Sequence, residues 1–175
     1  MSLTDGFARL AALLLLGGSA SCNGPADPLV ACPEPSGDNF AAVSLVLEAN
    51  CGTLDCHGAP ARNFRVYGQY GLRLFGSDVV GGAGTRDEEV QATYQSIASL
   101  EPETLSRVFA SGGAGVDGWI PVAKARGLER HKGGLRLPAG SPGDTCLVSW
   151  ASGALDTSSC LSDGFGPIPR TGETW

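Results

Sequence analysis

Residues 51–58 read Cys-Gly-Thr-Leu-Asp-Cys-His-Gly. Two thiols and an imidazole set this closely can do few things together. Each thiol can add to one vinyl group of a haem, and the histidine beside the second cysteine then lies under the iron as its proximal ligand. The usual spacing for that chemistry places two residues between the cysteines. Here Gly52 to Asp55 stand between Cys51 and Cys56. The same residues allow two other outcomes. Cys51 and Cys56 could close a short disulfide loop, which persists in an oxidising compartment. With a second histidine they could also form a zinc cage of Cys51, Cys56, His57 and His131.

The remaining iron ligands can be argued by elimination. The only histidines are His57 and His131, and the only methionine is Met1. Met1 opens a segment that reads as removable. Leu10 to Leu16 is an unbroken apolar run, Gly17 to Ser21 are small, and Cys22 follows directly. This is the pattern of a secretory signal peptide. The run is too short to span a bilayer, which takes about 20 residues. Residues 1–21 are therefore expected to be a signal peptide and Cys22 the lipid-modified first residue of the mature chain. The segment resembles a bacterial lipobox, with Ser19 where leucine is usual. Residues 22–37 carry four prolines and two glycines from Asn23 onward, which predicts an extended tether. The expected location is the cell envelope, on the outer membrane or facing the periplasm, with membrane attachment through the lipid. Loss of Met1 leaves His57 and His131 as the natural axial pair, with a lower potential than a methionine-ligated iron. The alternative for His131 is a surface histidine between Arg130 and Lys132.

Export also bears on the other cysteines. Cys146 and Cys160 are expected to form a disulfide. Cys32 is left unpaired if Cys51 and Cys56 hold a haem, and it competes for Cys51 if they do not.

A second region accompanies the first. Residues 131–156 contain His131, Gly133, Gly134, Trp150, Gly153 and Ala154 in a His-x-Gly-Gly … Trp-x-x-Gly-Ala arrangement, and Tyr70-Gly71-Leu72-Arg73-Leu74 follows the Cys-His motif. Together these strings resemble the cytochrome-c-like domains of exported planctomycete and myxobacterial proteins, over about 120 residues. The resemblance implies a small, mainly α domain over residues 38–161, with long Gly-rich loops and an N-terminal helix packed on a C-terminal one beside a haem c. Cysteine pairs with four residues between them occur among multihaem cytochromes.

The elements that must position these groups can be read from spacing. Phe40, Val43, Val46 and Leu47 predict a helix over Asp38–Asn50, capped by Asp38 and ending at Cys51-Gly52. Residues 62–75 read as short strand or loop. Thr85 and Glu88 suggest a capping box that opens a second helix with Val90, Tyr94, Ile97 and Ala98 inward. Pro102 opens a third helix, burying Leu105, Val108 and Phe109. Ser141-Pro142-Gly143-Asp144 opens a fourth, which carries Cys146, Leu147 and Trp150 and ends at Gly153. Trp119 and Trp150 are expected in the core. Residues 162–175 read as a loose tail.

Composition narrows the function classes. Net charge is -6, and no basic patch is visible in the sequence, which argues against nucleic-acid or anionic-lipid binding through charge. Gly81–Gly84 and Gly112–Gly115 lack the Gly-Lys-Ser/Thr of a phosphate loop and read as turns. No serine–histidine–aspartate order, metalloprotease helix or paired-carboxylate motif is present. The reading is an exported, non-enzymatic lipoprotein that carries single electrons on a covalent haem to redox partner proteins. The alternative is a disulfide-stapled surface lipoprotein on the same scaffold without haem.

Overall fold

Helix α1 spans Ala41–Cys51 and buries Val43, Val46 and Leu47, with Phe40 buried at its entrance. Asp38 does not cap it: Phe40 occupies the N-cap and no side chain bonds the first turn. The helix stops at Gly52, whose N–H donates to the Glu48 carbonyl. These details come from a computed structural model that describes residues 33–163. The expected signal peptide, Cys22 and Cys32 lie outside the described residues, as do residues 164–175.

Five further helices follow in chain order: α2 Asp87–Ala98, α3 Pro102–Ala110, α4 Ile120–Ala125, α5 Pro142–Ala151 and α6 Thr157–Ser162. A 3-10 turn over Val116–Gly118 precedes α4. The described chain is mainly helical, and no strand occurs among the described residues. Residues 62–75 form loop, with one isolated bridge between Tyr67 and Leu72. No helix among the described residues is long and apolar enough to cross a membrane.

The core forms where α1 meets α2, α5 and α6. Phe40 packs against Tyr94 and Trp150, and Trp150 meets Trp119. Both tryptophans are buried. The end of the expected tether joins this core: Pro35 is buried, Tyr94 donates to the Pro35 carbonyl, and Trp150 Nε1 donates to the Ser36 carbonyl at 3.2 Å. Cys146 and Cys160 are disulfide-bonded, which ties α5 to α6.

Helix α2 starts one residue later than the Thr85–Glu88 box predicts. The Thr85 hydroxyl donates to buried Glu48 at 2.8 Å. Arg86 takes the N-cap, and Glu89 reaches back to its N–H at 3.0 Å. Glu89 does more than cap. It receives Arg73 in a two-point ion pair at 2.8 and 3.0 Å, and it also accepts the Leu74 N–H. Arg73 is thus one tie that holds loop 66–84 onto α2, beside the Tyr67 N–H bond to Thr93, and it further donates to the carbonyls of Ala83 and Gly84.

Candidate functional site

The Cys-His loop is wound tightly onto the end of α1. His57 N–H donates to the Cys51 carbonyl, and both Cys56 and Gly58 donate to the Thr53 carbonyl. Arg62 clamps the outside of the loop by donating to the carbonyls of Cys56 and Asp55. Three glycines make the winding possible. Gly52, Gly58 and Gly71 meet backbone to backbone, and a methyl group on either Gly58 or Gly71 would collide with the Gly52 carbonyl oxygen. The glycine that follows the histidine is therefore required by close approach of the chain.

His57 is held by one bond. Its Nδ1 lies 3.0 Å from the Phe64 carbonyl. A carbonyl only accepts, so Nδ1 carries the proton and Nε2 keeps its lone pair. Burial lowers the His57 pKa, outweighing the Phe64 bond that raises it. A neutral imidazole with an oriented second nitrogen is the form that ligates metal.

His131 sits on the connection between α4 and α5, and that connection is pinned at both ends. Arg126 grips buried Asp144 through two bonds, at 2.6 and 2.8 Å, and also reaches Asp117. Arg136 and Leu137 donate their N–H groups to the Ala125 carbonyl. The Arg136 guanidinium crosses to the Asn50 carbonyl at the end of α1, at 2.9 Å. The histidine-bearing segment is thereby bonded to the helix that carries Cys51.

These elements bring the two histidines together. Their ring centres are 6.3 Å apart, with planes 19° from parallel. Both line a cavity of about 450 Å³, within the range of small-molecule and cofactor sites. Its walls are mostly apolar, with Leu47, Phe64, Ile120, Leu137 and Leu147 among them, and Cys51 opens onto it. His131 Nδ1 is buried and has no protein partner. A buried nitrogen without a partner is uncommon. Gly133 lies so close to the ring that a Cβ there would stand 2.6 Å from Cε1 and 2.7 Å from Nε2.

Cys51 and Cys56 are both free thiols. Burial pushes the Cys51 pKa up to about 12, so the metal-free side chain is a thiol at neutral pH. Among the described residues, no three His, Cys, Asp or Glu side chains converge where one ion could sit. The alternative zinc cage of Cys51, Cys56, His57 and His131 is not assembled among the described residues. Trp119 and Trp150 are core residues and do not line the cavity.

The residues that could not be found from sequence act through the backbone. Phe64 orients His57 with a carbonyl oxygen, which any residue type could offer. Arg62 was legible only as a charge. Gly133 belonged to a recognised string, but its role against the His131 ring needed coordinates. The chain matches no family model, no curated protein and no solved structure.

Proposed function

We propose that this cavity is the seat of one covalently attached haem c, and that the protein is a single-electron carrier of the cell envelope that turns over no substrate of its own. The observation that carries the reading is the spacing of the imidazoles. A five-membered ring with bonds of about 1.35 Å places each nitrogen roughly 1.15 Å from the ring centre. An imidazole nitrogen binds a divalent first-row metal at about 2.0–2.1 Å. Two rings on opposite sides of one metal then have centres about 6.4 Å apart; the centres of His57 and His131 stand at 6.3 Å in a stacked arrangement, so shared ligation requires the rings to turn their nitrogens toward the gap.

The donor set supports the same group. Two imidazoles on one cavity, with no third protein ligand among the described residues, suit a metal whose other ligands come with the cofactor. The orphaned His131 nitrogen and the apolar cavity fit it as well. Cys51 and Cys56 would form the two thioethers, the wider spacing between them being taken up by the turn that Gly52 begins. When bound, the haem supplies the one-electron couple. The chain supplies the rest. Phe64 fixes the His57 tautomer, Gly133 and the Arg126–Asp144 clamp set His131, and the apolar walls keep water from the site. Contact of α1 with α5 is in keeping with the helix pairing of cytochrome-c-like domains. Ligation by two histidines favours a lower potential than histidine with methionine.

The test is expression with a cytochrome c maturation system, followed by a pyridine haemochrome spectrum and intact mass. One haem on Cys51 and Cys56 supports the reading. No haem, with the two cysteines oxidised to each other, supports the disulfide-stapled scaffold instead. In the loaded protein, His131→Ala is expected to convert low-spin iron to high-spin. An unchanged low-spin spectrum would remove His131 as a ligand.

A further inference from the structure

Loop 66–84 carries an apolar tip with no charge to spare. Leu74, Phe75, Val79 and Val80 are all exposed, Val79 at 68% and Val80 at 48%. Residues 70–85 contain two charged side chains, Arg73 and Asp78. Both are buried and bonded, Arg73 to Glu89 and Asp78 to Arg86, each at 2.8 Å. The Arg86 guanidinium in turn lies 5.0 Å from the Phe75 ring centre. The exposed leucines elsewhere among the described residues have a different setting. Leu54 adjoins exposed Asp55, Leu128 adjoins exposed Glu129, Leu135 adjoins exposed Arg136, and Leu161 stands two residues before Asp163.

That difference bears on what covers the tip. A transient protein interface sets an apolar centre inside a polar rim, which is the setting of those leucines. The tip has no such rim on its own loop, and the next exposed charges along the chain are Asp87 and Glu88 at the start of α2. Exposed apolar patches also mark membrane contacts. Side chains of this kind enter the boundary between headgroups and acyl chains where the backbone near them is already bonded. Turns supply those bonds here. The Asp78 N–H donates to the Phe75 carbonyl, Gly82 to Val79 and Gly81 to Gln69. The Arg73 tie holds the tip in one shape, so seating it costs little further ordering.

The expected anchor brings a bilayer within reach. Eleven residues, Cys22 to Cys32, separate the expected lipid from the first described residue, and a segment of that length spans at most about 40 Å. The described end of the tether is fixed on α2, where Tyr94 donates to the Pro35 carbonyl. Glu89, which holds the loop, lies five residues before Tyr94, about 7.5 Å along the helix axis.

We infer that Leu74, Phe75, Val79 and Val80 seat the domain on the bilayer that its lipid anchor enters. This contact is separate from the electron carriage proposed above and takes the lipid on Cys22 from the sequence; the tip itself is the same with or without haem. With a net charge of -6, and with Asp87 and Glu88 beside the tip, the contact should be stronger on zwitterionic than on anionic lipid.

The test is amide hydrogen exchange, followed by mass spectrometry, on the mature lipoprotein reconstituted in phosphatidylcholine vesicles, with the acyl chains on Cys22 confirmed by intact mass. The reference is the Cys22→Ser chain free in solution. Protection gained over residues 70–84, and unchanged by added salt, is the expected result. Val79→Asp/Val80→Asp should lose that protection while the protein still floats with the vesicles and exchanges normally elsewhere. Leu128→Asp/Leu135→Asp, which adds the same charge at another exposed apolar pair, should keep it. No gain over residues 70–84 in the vesicle-bound wild type, or equal loss in both variants, would overturn the inference. Protection of residues 70–84 that grows with the concentration of the Cys22→Ser chain in the absence of lipid would overturn it too, since a second copy of the chain would then be the cover. An intact mass without lipid refutes the anchor separately. The unanchored chain is then mixed with excess phosphatidylcholine vesicles, where protection of residues 70–84 supports the inference and its absence overturns it.

Discussion

Two side chains illustrate how little chemical identity says without surroundings. Glu48 is an ordinary carboxylic acid on α1, yet it is 3% exposed. Burial raises its pKa from 4.5 to about 7, against the lowering effect of its bonds from Thr85 and the Gln69 N–H. One carboxyl oxygen, Oε1, has no partner. Below pH 4.5 the group is protonated in both folded and unfolded chains and costs nothing. As pH rises, the unfolded chain ionises first while the folded one resists to about pH 7, so stability falls across that window and then levels off. The expected loss is about 3 kcal/mol. Urea midpoints measured from pH 4 to 8 should show this decline, and Glu48→Gln should flatten it. A wild-type midpoint that rises through the same window would contradict the assignment. His131 gives the second residue-scale prediction. Gly133→Ala places a methyl group against its ring, so the ring must move. Haem should still attach through Cys51 and Cys56, but the low-spin fraction should drop. A spectrum identical to wild type would show that the ring is not held there.

At the scale of elements, the buried polar ties decide which loops are stiff. Arg73→Ala would leave Glu89 buried and short of its cation, and one-sided loss of a buried pair costs about 3–5 kcal/mol. A stability loss below about 1 kcal/mol in a chemical melt would argue that loop 66–84 is not anchored by this pair. Loss of the α5–α6 disulfide in Cys146→Ser/Cys160→Ser should cost roughly 3 kcal/mol on a loop-closure estimate. The four helices with repeating apolar positions were legible in the sequence: α1, α2, α3 and α5 all begin or end within a few residues of where spacing and proline place them. Helix α4 escaped because it is six residues long and its burial is shared among small side chains. Helix α6 escaped because Thr-Ser-Ser-Cys-Leu-Ser has no apolar stripe. Its cap, Asp156 to the Ser159 N–H at 3.1 Å, becomes meaningful only once the disulfide fixes Cys160. The α2 start was misplaced because Thr85 spends its hydroxyl on Glu48, a partner 37 residues away that local reading does not see. Asp38 failed as a cap for a similar reason: the segment before α1 is turned into the core by Tyr94 and Trp150.

At the scale of the whole molecule, residues from three separate stretches converge on one cavity. Residues 51–58 bring the Cys51 thiol and His57, while Cys56 is not among the lining residues; residue 64 brings the carbonyl that orients His57, and residues 131–136 bring His131 and the bond back to α1. The chemistry-bearing residues were legible as types and spacings. Their meeting was not, because it depends on the Arg126–Asp144 clamp, the Arg136–Asn50 bond and three glycines in mutual contact. None of these leaves a local periodic signal.

The central claim is that one haem is held by Cys51 and Cys56 between His57 and His131. Its most direct measurement is the ferric electron paramagnetic resonance spectrum of the protein matured with a cytochrome c assembly system, taken on material whose intact mass has been recorded. A mass increase of one haem with a low-spin bis-imidazole signal is the predicted result. An unmodified mass with Cys51 joined to Cys56, or an attached haem whose signal is high-spin in the wild-type chain, would contradict it.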